Sequence, residues 1–191
     1  MSRRGQTRAP GGRRAPGERA EDRLGLWSIF RCVRKVNSNA LEEISWKSPS
    51  EKFAGAGKQL SEALGREPRS MDLTKRHPFD VEILRIAPGS TPYPYHSHSQ
   101  QWEFYHVVSG TGHVRHEGGQ TPIEPGDAFI FKPGEAHQII NDGTADLQVY
   151  VIADNPIGES TYYPDSQKWA VRSPEHRIIR SESLDYFDGE E

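Results

Sequence analysis

Six turn signals at short intervals constrain this chain more than any other feature. Between positions 79 and 153 they are Pro88-Gly89, Ser109-Gly110-Thr111-Gly112, Glu117-Gly118-Gly119, Pro125-Gly126-Asp127, Pro133-Gly134-Glu135 and Asn141-Asp142-Gly143. The stretches between them are short and rich in β-branched and aromatic residues, as at 102–108, 128–131, 137–140 and 147–153. Such runs, cut by turn residues, form the strands of an all-β barrel or sandwich. No long helical period interrupts them, which argues against a parallel sheet with crossover helices. In the first run Val81, Ile83 and Arg85 alternate with Glu82, Leu84 and Ile86, the two-residue period of a strand.

The remaining sequence is expected to extend this barrel. Residues 1–24 read as a disordered Arg/Gly/Pro-rich arm, with almost nothing apolar to offset the entropy of ordering. Residues 25–78 read as an N-terminal extension of strands plus a short helix packing on the barrel, 79–153 as the barrel, and 154–191 as a C-terminal extension with a frayed acidic end. Within the N-terminal extension, 26–36 fits a first strand, 37–47 a turn and a short extended piece, and 58–64 a helix closed by Gly65. Gly55, Gly57 and Lys58 hint at a phosphate loop. Gln59 stands where that loop needs Ser or Thr, so a loop entering a short helix is the better reading.

Charge and cysteine usage narrow the setting. The formal net charge is -3, and the arginines crowd into the first 23 residues, so the body is acidic. That balance argues against nucleic acid as a partner. Cys32 is the single cysteine, so no internal disulfide forms, which fits a cytoplasmic location. No apolar run approaches the length of a membrane span, and the N-terminus has no apolar core of a secretory signal.

Two stretches carry the chemistry. His96 and His98 stand two apart, on one face of a strand. Glu103 follows at an odd offset, which a turn through Ser99-Gln100-Gln101 corrects, so that Glu103, Tyr105 and Val107 share a face of the next strand. His137 arrives from a different hairpin. Three imidazoles and a carboxylate suit a divalent transition metal (Mn, Fe, Ni, Co, Cu or Zn) and exclude a structural thiolate-zinc site. Tyr95, Gln101 and Tyr105 are the candidate catalytic residues, with Tyr93 as a further pocket wall. His77, His106, His113 and His116 read as surface residues, Lys132 as a solvated turn lysine, and Trp102, Phe129 and Phe131 as core or subunit interface.

This pattern resembles the cupin superfamily. Gly89, His96, His98, Glu103 and Gly110 match its first motif, and Gly126, Pro133, Gly134, His137 and Asn141 its second. The spacers after Gly89 and Gly126 are one residue longer than the commonest form, and Pro133-Gly134 lacks the usual intervening residue. The resemblance covers about residues 85–145. It implies an all-β double-stranded β-helix (jelly-roll) barrel with metal bound by His96, His98, Glu103 and His137. The chain is also similar to small bacterial single-domain cupins (monocupins) of a sugar-phosphate-isomerase-like group, for which a homodimer is the expected state.

Three functions remain open at this level. One is a sugar-phosphate-type isomerase in which a divalent metal serves as Lewis acid for a small oxygenated molecule. The others are an Fe(II)-dependent dioxygenase and a non-catalytic small-molecule binding cupin. The expected partners are a small-molecule substrate or ligand and a second copy of the chain, with neither nucleic acid nor membrane.

Overall fold

A computed structural model describes residues 33–68, 70, 72–172, 175–180 and 182–190. The expected arm at 1–24 lies outside the described residues, as does most of the expected strand at 26–36, whose residues 33–36 form no strand. In chain order the elements are β1 (Ile44–Lys47), β2 (Ala54–Gln59), α1 (Leu60–Ala63), α2 (Leu73–Arg76), β3 (Phe79–Ile86), β4 (Ser97–His98), β5 (Glu103–Ser109), β6 (Gly112–His116), β7 (Gly119–Ile123), β8 (Ala128–Phe131), β9 (His137–Ile140), β10 (Leu147–Asp154), β11 (Ser160–Tyr163), β12 (Lys168–Val171) and β13 (Arg177–Ile179). No helix among the described residues is long and apolar enough to cross a membrane.

The strands build three antiparallel sheets. One has six strands in the order β1-β2-β3-β10-β5-β8, one has four, β13-β12-β11-β4, and one has three, β7-β6-β9. Together they make the jelly-roll barrel of a nearly all-β chain. Strand alternation sets the core. Leu84 and Ile86 of β3, Tyr105 and Val107 of β5, and Leu147, Val149 and Val151 of β10 point inward from the large sheet. Val114, Ile123 and Ile139 meet them from the three-stranded sheet. Each such aliphatic side chain contributes roughly 1.5–3 kcal/mol by leaving water.

Register carries the alternation across strands. Glu82 pairs with Val151 and Val151 with Tyr105, so these three share one inward row. The next row toward the barrel end holds Asp80, Ala153, Glu103 and Phe131.

Two motif residues act at corners. Gly110 adopts φ +80, and a Cβ there would sit 2.3 Å from the Asp146 carbonyl oxygen, so only glycine fits. Asn141 is fully buried. Its amide donates to the Ile86 and Ala145 carbonyls at 2.7 and 2.9 Å and accepts from Gly143 N at 3.0 Å, tying the second motif to the end of β3.

The N-terminal extension differs from expectation in detail. Helix α1 is shorter than the expected 58–64, because Lys58 and Gln59 belong to β2, which is paired on both edges. Gly55, Gly57 and Lys58 are therefore strand residues, not a phosphate loop. Gly55 makes room for Trp46, whose ring would lie 2.7 Å from an added Cβ. The tail is also more ordered than its sequence suggests. Its strands β11–β13 continue the sheet of β4 and bring Thr161 opposite His98.

Candidate metal centre

Backbone pairing places the imidazoles before any side chain interacts. His96 and His137 face each other in an isolated antiparallel bridge, with N-to-O distances of 3.1 and 2.8 Å. His98 sits on β4, and its carbonyl accepts from Gly134 N at 2.8 Å, so the turn before His137 is tied to the strand that bears His98. Glu103 opens β5 next door. The ring centroids of His96 and His98 are 5.0 Å apart, and those of His96 and His137 are 4.8 Å apart. His96, His98 and Glu103 offer ligand atoms within 4.8 Å of one another. His137 reaches the same carboxylate, with Nε2 2.8 Å from Glu103 Oε2.

The second nitrogen of each ring explains why all three point the same way. Nδ1 of His96 lies 2.8 Å from the Pro94 carbonyl oxygen, and Nδ1 of His137 lies 3.1 Å from that of Glu135. Nδ1 of His98 lies 3.1 Å from Glu159 Oε1. With each Nδ1 facing an oxygen, each Nε2 is turned toward the centre, which is how metal-ligating histidines are usually held. Phe131 stacks flat on the His137 ring at 3.9 Å and fixes its plane.

This donor set fits a divalent ion, and one atom points to it directly. His98 Nε2 is buried and has no hydrogen-bond partner among the described residues. It lies 3.4 Å from Glu103 Oε1 without hydrogen-bond geometry. An orphaned buried nitrogen costs about 1–3 kcal/mol, a cost that a ligated cation removes.

The electrostatics are those of a carboxylate among imidazoles. Burial lowers His96 to about 4, so it is neutral near pH 7. Burial also works against the charged form of His98, but Glu103 and Glu159 outweigh it and raise His98 to about 9. For Glu103 the same contest runs the other way. Burial alone would raise it, and the hydrogen bond with His137 together with the adjacent His98 ring holds it well below the usual carboxylate range.

Of the candidate catalytic residues, Tyr105 stands at the centre. Its hydroxyl donates to Glu103 Oε2 at 3.0 Å and lies 3.4 Å from His137 Nε2. Gln101 is spent on the turn: its side chain donates to the Asp154 carbonyl at 2.5 Å and its backbone N–H to Glu159 at 2.9 Å. Tyr95 packs under the guanidinium of Arg115, 4.0 Å from the ring centroid, and Arg115 in turn is paired to Asp165. Tyr93 stacks on Trp46 at 5.3 Å and meets His96 edge-on at 6.5 Å. Phe129 and Phe131 pack on the core, while Trp102 is exposed. His106 points away from Glu103 and is exposed, and His113 pairs with Asp142 at the surface.

Glu159 escaped the sequence reading. It is 2% exposed and holds the whole turn between β4 and β5. It accepts the backbone N–H groups of Ser99, Gln100 and Gln101 at 3.1, 2.9 and 2.9 Å while it orients His98. It stands in the tail outside both motifs, and no periodicity marks it. Glu82 was also missed, although a carboxylate in the apolar phase of Leu84 and Ile86 was a visible signal.

The geometry can be set beside known proteins. Residues 82–153 match the family model described as a cupin domain. A curated relative, an oxalate-binding protein of Thermotoga maritima, is 32% identical over 69 residues, 36% of this chain. The chain spans 56% of that relative's length. A candidate sugar phosphate isomerase from Acidithiobacillus ferrooxidans superposes with a TM-score of 0.65 at 25% identity, over 77% of this chain and 92% of the other. A sugar phosphate isomerase of a cupin superfamily from Silicibacter pomeroyi has a TM-score of 0.64 at 22% identity, over 80% and 97%. At that identity the second likeness concerns the fold.

Proposed function

We propose that this protein is a metal-dependent cupin that acts on a small oxygenated molecule, with isomerisation of a sugar-phosphate type as its reaction. The observation that carries the metal is the buried, unpartnered Nε2 of His98, aimed at a carboxylate that His137 and Tyr105 also reach. His96, His98, Glu103 and His137 would hold the ion, which supplies Lewis-acid polarisation of a ligand oxygen. Glu159 keeps Nε2 of His98 turned inward. Tyr105 keeps the Glu103 carboxylate oriented, and Phe131 screens the His137 ring from water. The likeness to the Acidithiobacillus protein supports the substrate class.

The test is solvent exchange. Metal-loaded protein incubated in D2O with aldose and ketose phosphates is expected to introduce deuterium next to the carbonyl, read by proton NMR. No exchange in any of them overturns the isomerase reading. A second reading, binding without turnover, is favoured by the oxalate-binding relative. Saturable oxalate binding that leaves oxalate unchanged supports it.

We also propose a homodimer in the cytoplasm. Across the outer face of the large sheet, Val81, Ile152, Phe104 and Ile130 line up in one register row over four strands. Ile152 and Ile130 are 38% and 49% exposed. A flat apolar row of this kind suits a second copy related by a two-fold axis.

A further inference from the structure

The catalytic candidates near the motifs leave one question open: which group moves a proton. Tyr105 and Glu103 are bonded to each other, and Gln101 and Tyr95 are occupied elsewhere. The row that contains Tyr105 holds another acidic side chain. Glu82 of β3 is in register with Val151 of β10, which is in register with Tyr105 of β5. Partners in register project to the same face, and two strand spacings separate the backbones of Glu82 and Tyr105 by about 10 Å. Both side chains point into the barrel, and Glu103 precedes Tyr105 by two residues on that face.

Glu82 is neither a solvated residue nor part of a closed ion pair. It is half-buried. Its carboxylate accepts a hydrogen bond from the Gln59 amide, and the Oε2 that does so lies 3.6 Å from where a Gly57 Cβ would be. The Trp46 ring fills the same corner, 3.4 Å from that position. Gly57 thus lets the Trp46 ring, the Gln59 amide and the Glu82 carboxyl meet in one corner. The groups that act on it are Asp80 of its own strand, Glu62 of α1 and Glu103 of β5, all acidic. Arg66 stands at this barrel end, but its guanidinium is paired with Asp80 at 2.8 Å.

We propose that Glu82, oriented by Gln59, is the proton-transfer residue of this site. The proposal rests on the isomerase reading for its substrate. The carboxylate takes the proton from the carbon next to the carbonyl. The C–H electron pair becomes a C=C bond, and the carbonyl π pair moves onto oxygen. The hydroxyl proton crosses to that oxygen, the electrons return, and Glu82 delivers its proton to the former carbonyl carbon. Nothing is oxidised or reduced overall, and no further reactant is needed. Burial first, then the neighbouring acidic groups, raise Glu82 to about 7 against the opposing bond from Gln59, so near neutral pH it is as ready to accept a proton as to donate one.

Two measurements on the full-length protein test this. In the first, carboxyl carbon-13 NMR follows Glu82, assigned with Glu82→Gln, with and without zinc. A titration midpoint near 7 that falls by about one pH unit or more on zinc loading is expected, because a divalent charge in the same interior favours the carboxylate. Zinc uptake with an unmoved midpoint overturns the proposal alone. No zinc uptake overturns the metal reading, and the proposal with it. In the second, the zinc- or manganese-loaded variants are compared in deuterium exchange with glucose 6-phosphate, mannose 6-phosphate and ribose 5-phosphate. Glu82→Gln, assayed at saturating metal, is expected to lose exchange at least about 100-fold, with metal affinity weakened by no more than about tenfold. Glu82→Asp should recover part of it with a displaced pH profile. Exchange by Glu82→Gln within about tenfold of wild type overturns the role of Glu82. Absence of exchange in wild type overturns the isomerase reading, and the proposal with it.

Discussion

Nδ1 of His98 faces Glu159 Oε1 at 3.1 Å, across 61 positions of sequence. That contact joins the first motif to the tail strands and decides which nitrogen of His98 looks into the barrel. Glu159→Ala removes the acceptor from His98 and from three backbone N–H groups at once. At about 1–3 kcal/mol for each buried group left unpaired, a loss of several kcal/mol is expected in urea unfolding. Glu159→Gln keeps the shape. Its expected effect is a drop in zinc affinity of about 10–100-fold by calorimetry, with modest loss of stability.

Metal uptake should release a proton from His98. In the metal-free protein His98 is raised to about 9 and so carries its proton at pH 7, whereas His96, lowered to about 4, does not. A cation must displace the His98 proton, so affinity is expected to rise about tenfold per pH unit from 7 toward 9. Titration of zinc in buffers of different ionisation enthalpy reads this as about one proton released at pH 7. Zero protons released would contradict it.

The same group gives a stability signature without metal. A folded-state value above the unfolded one means the native state binds the extra proton. The stabilisation is fully present below about 6.5 and is lost as pH rises through about 9. Thermal melts of metal-free wild type should therefore fall between pH 7 and 9, and His98→Ala should flatten that slope.

Gly110→Ala is expected to destabilise by more than 2 kcal/mol. The residue sits at φ +80, and the new methyl would meet backbone at 2.3 Å rather than a flexible side chain. Chemical denaturation checks the size. Gly89→Ala is the contrast: its φ is +72 but the space is open, so only the conformational cost of about 1 kcal/mol applies.

Ile130→Asp and Ile152→Asp change two exposed side chains of the outer row of the large sheet. Gel filtration with light scattering is expected to show wild type as a dimer and the double variant as a monomer with an unchanged melting profile. A monomeric wild type would refute the dimer.

The sequence alone pointed to the short strands, the barrel class, the corner at Gly110 and the shared face of His96 and His98, while Glu103 and His137 joined them as expected ligands through the family resemblance. Strand alternation and turn chemistry are local, so they can be read from neighbours in the chain. The tertiary structure alone decided that Gln59 lies in a strand rather than a helix, since β2 is held by partners on both edges. It also decided that Glu159 orients His98 and that Glu82 shares a row with Tyr105. Those relations depend on sheet register and on a tail strand returning to β4, which are pairings between distant segments that no local pattern specifies.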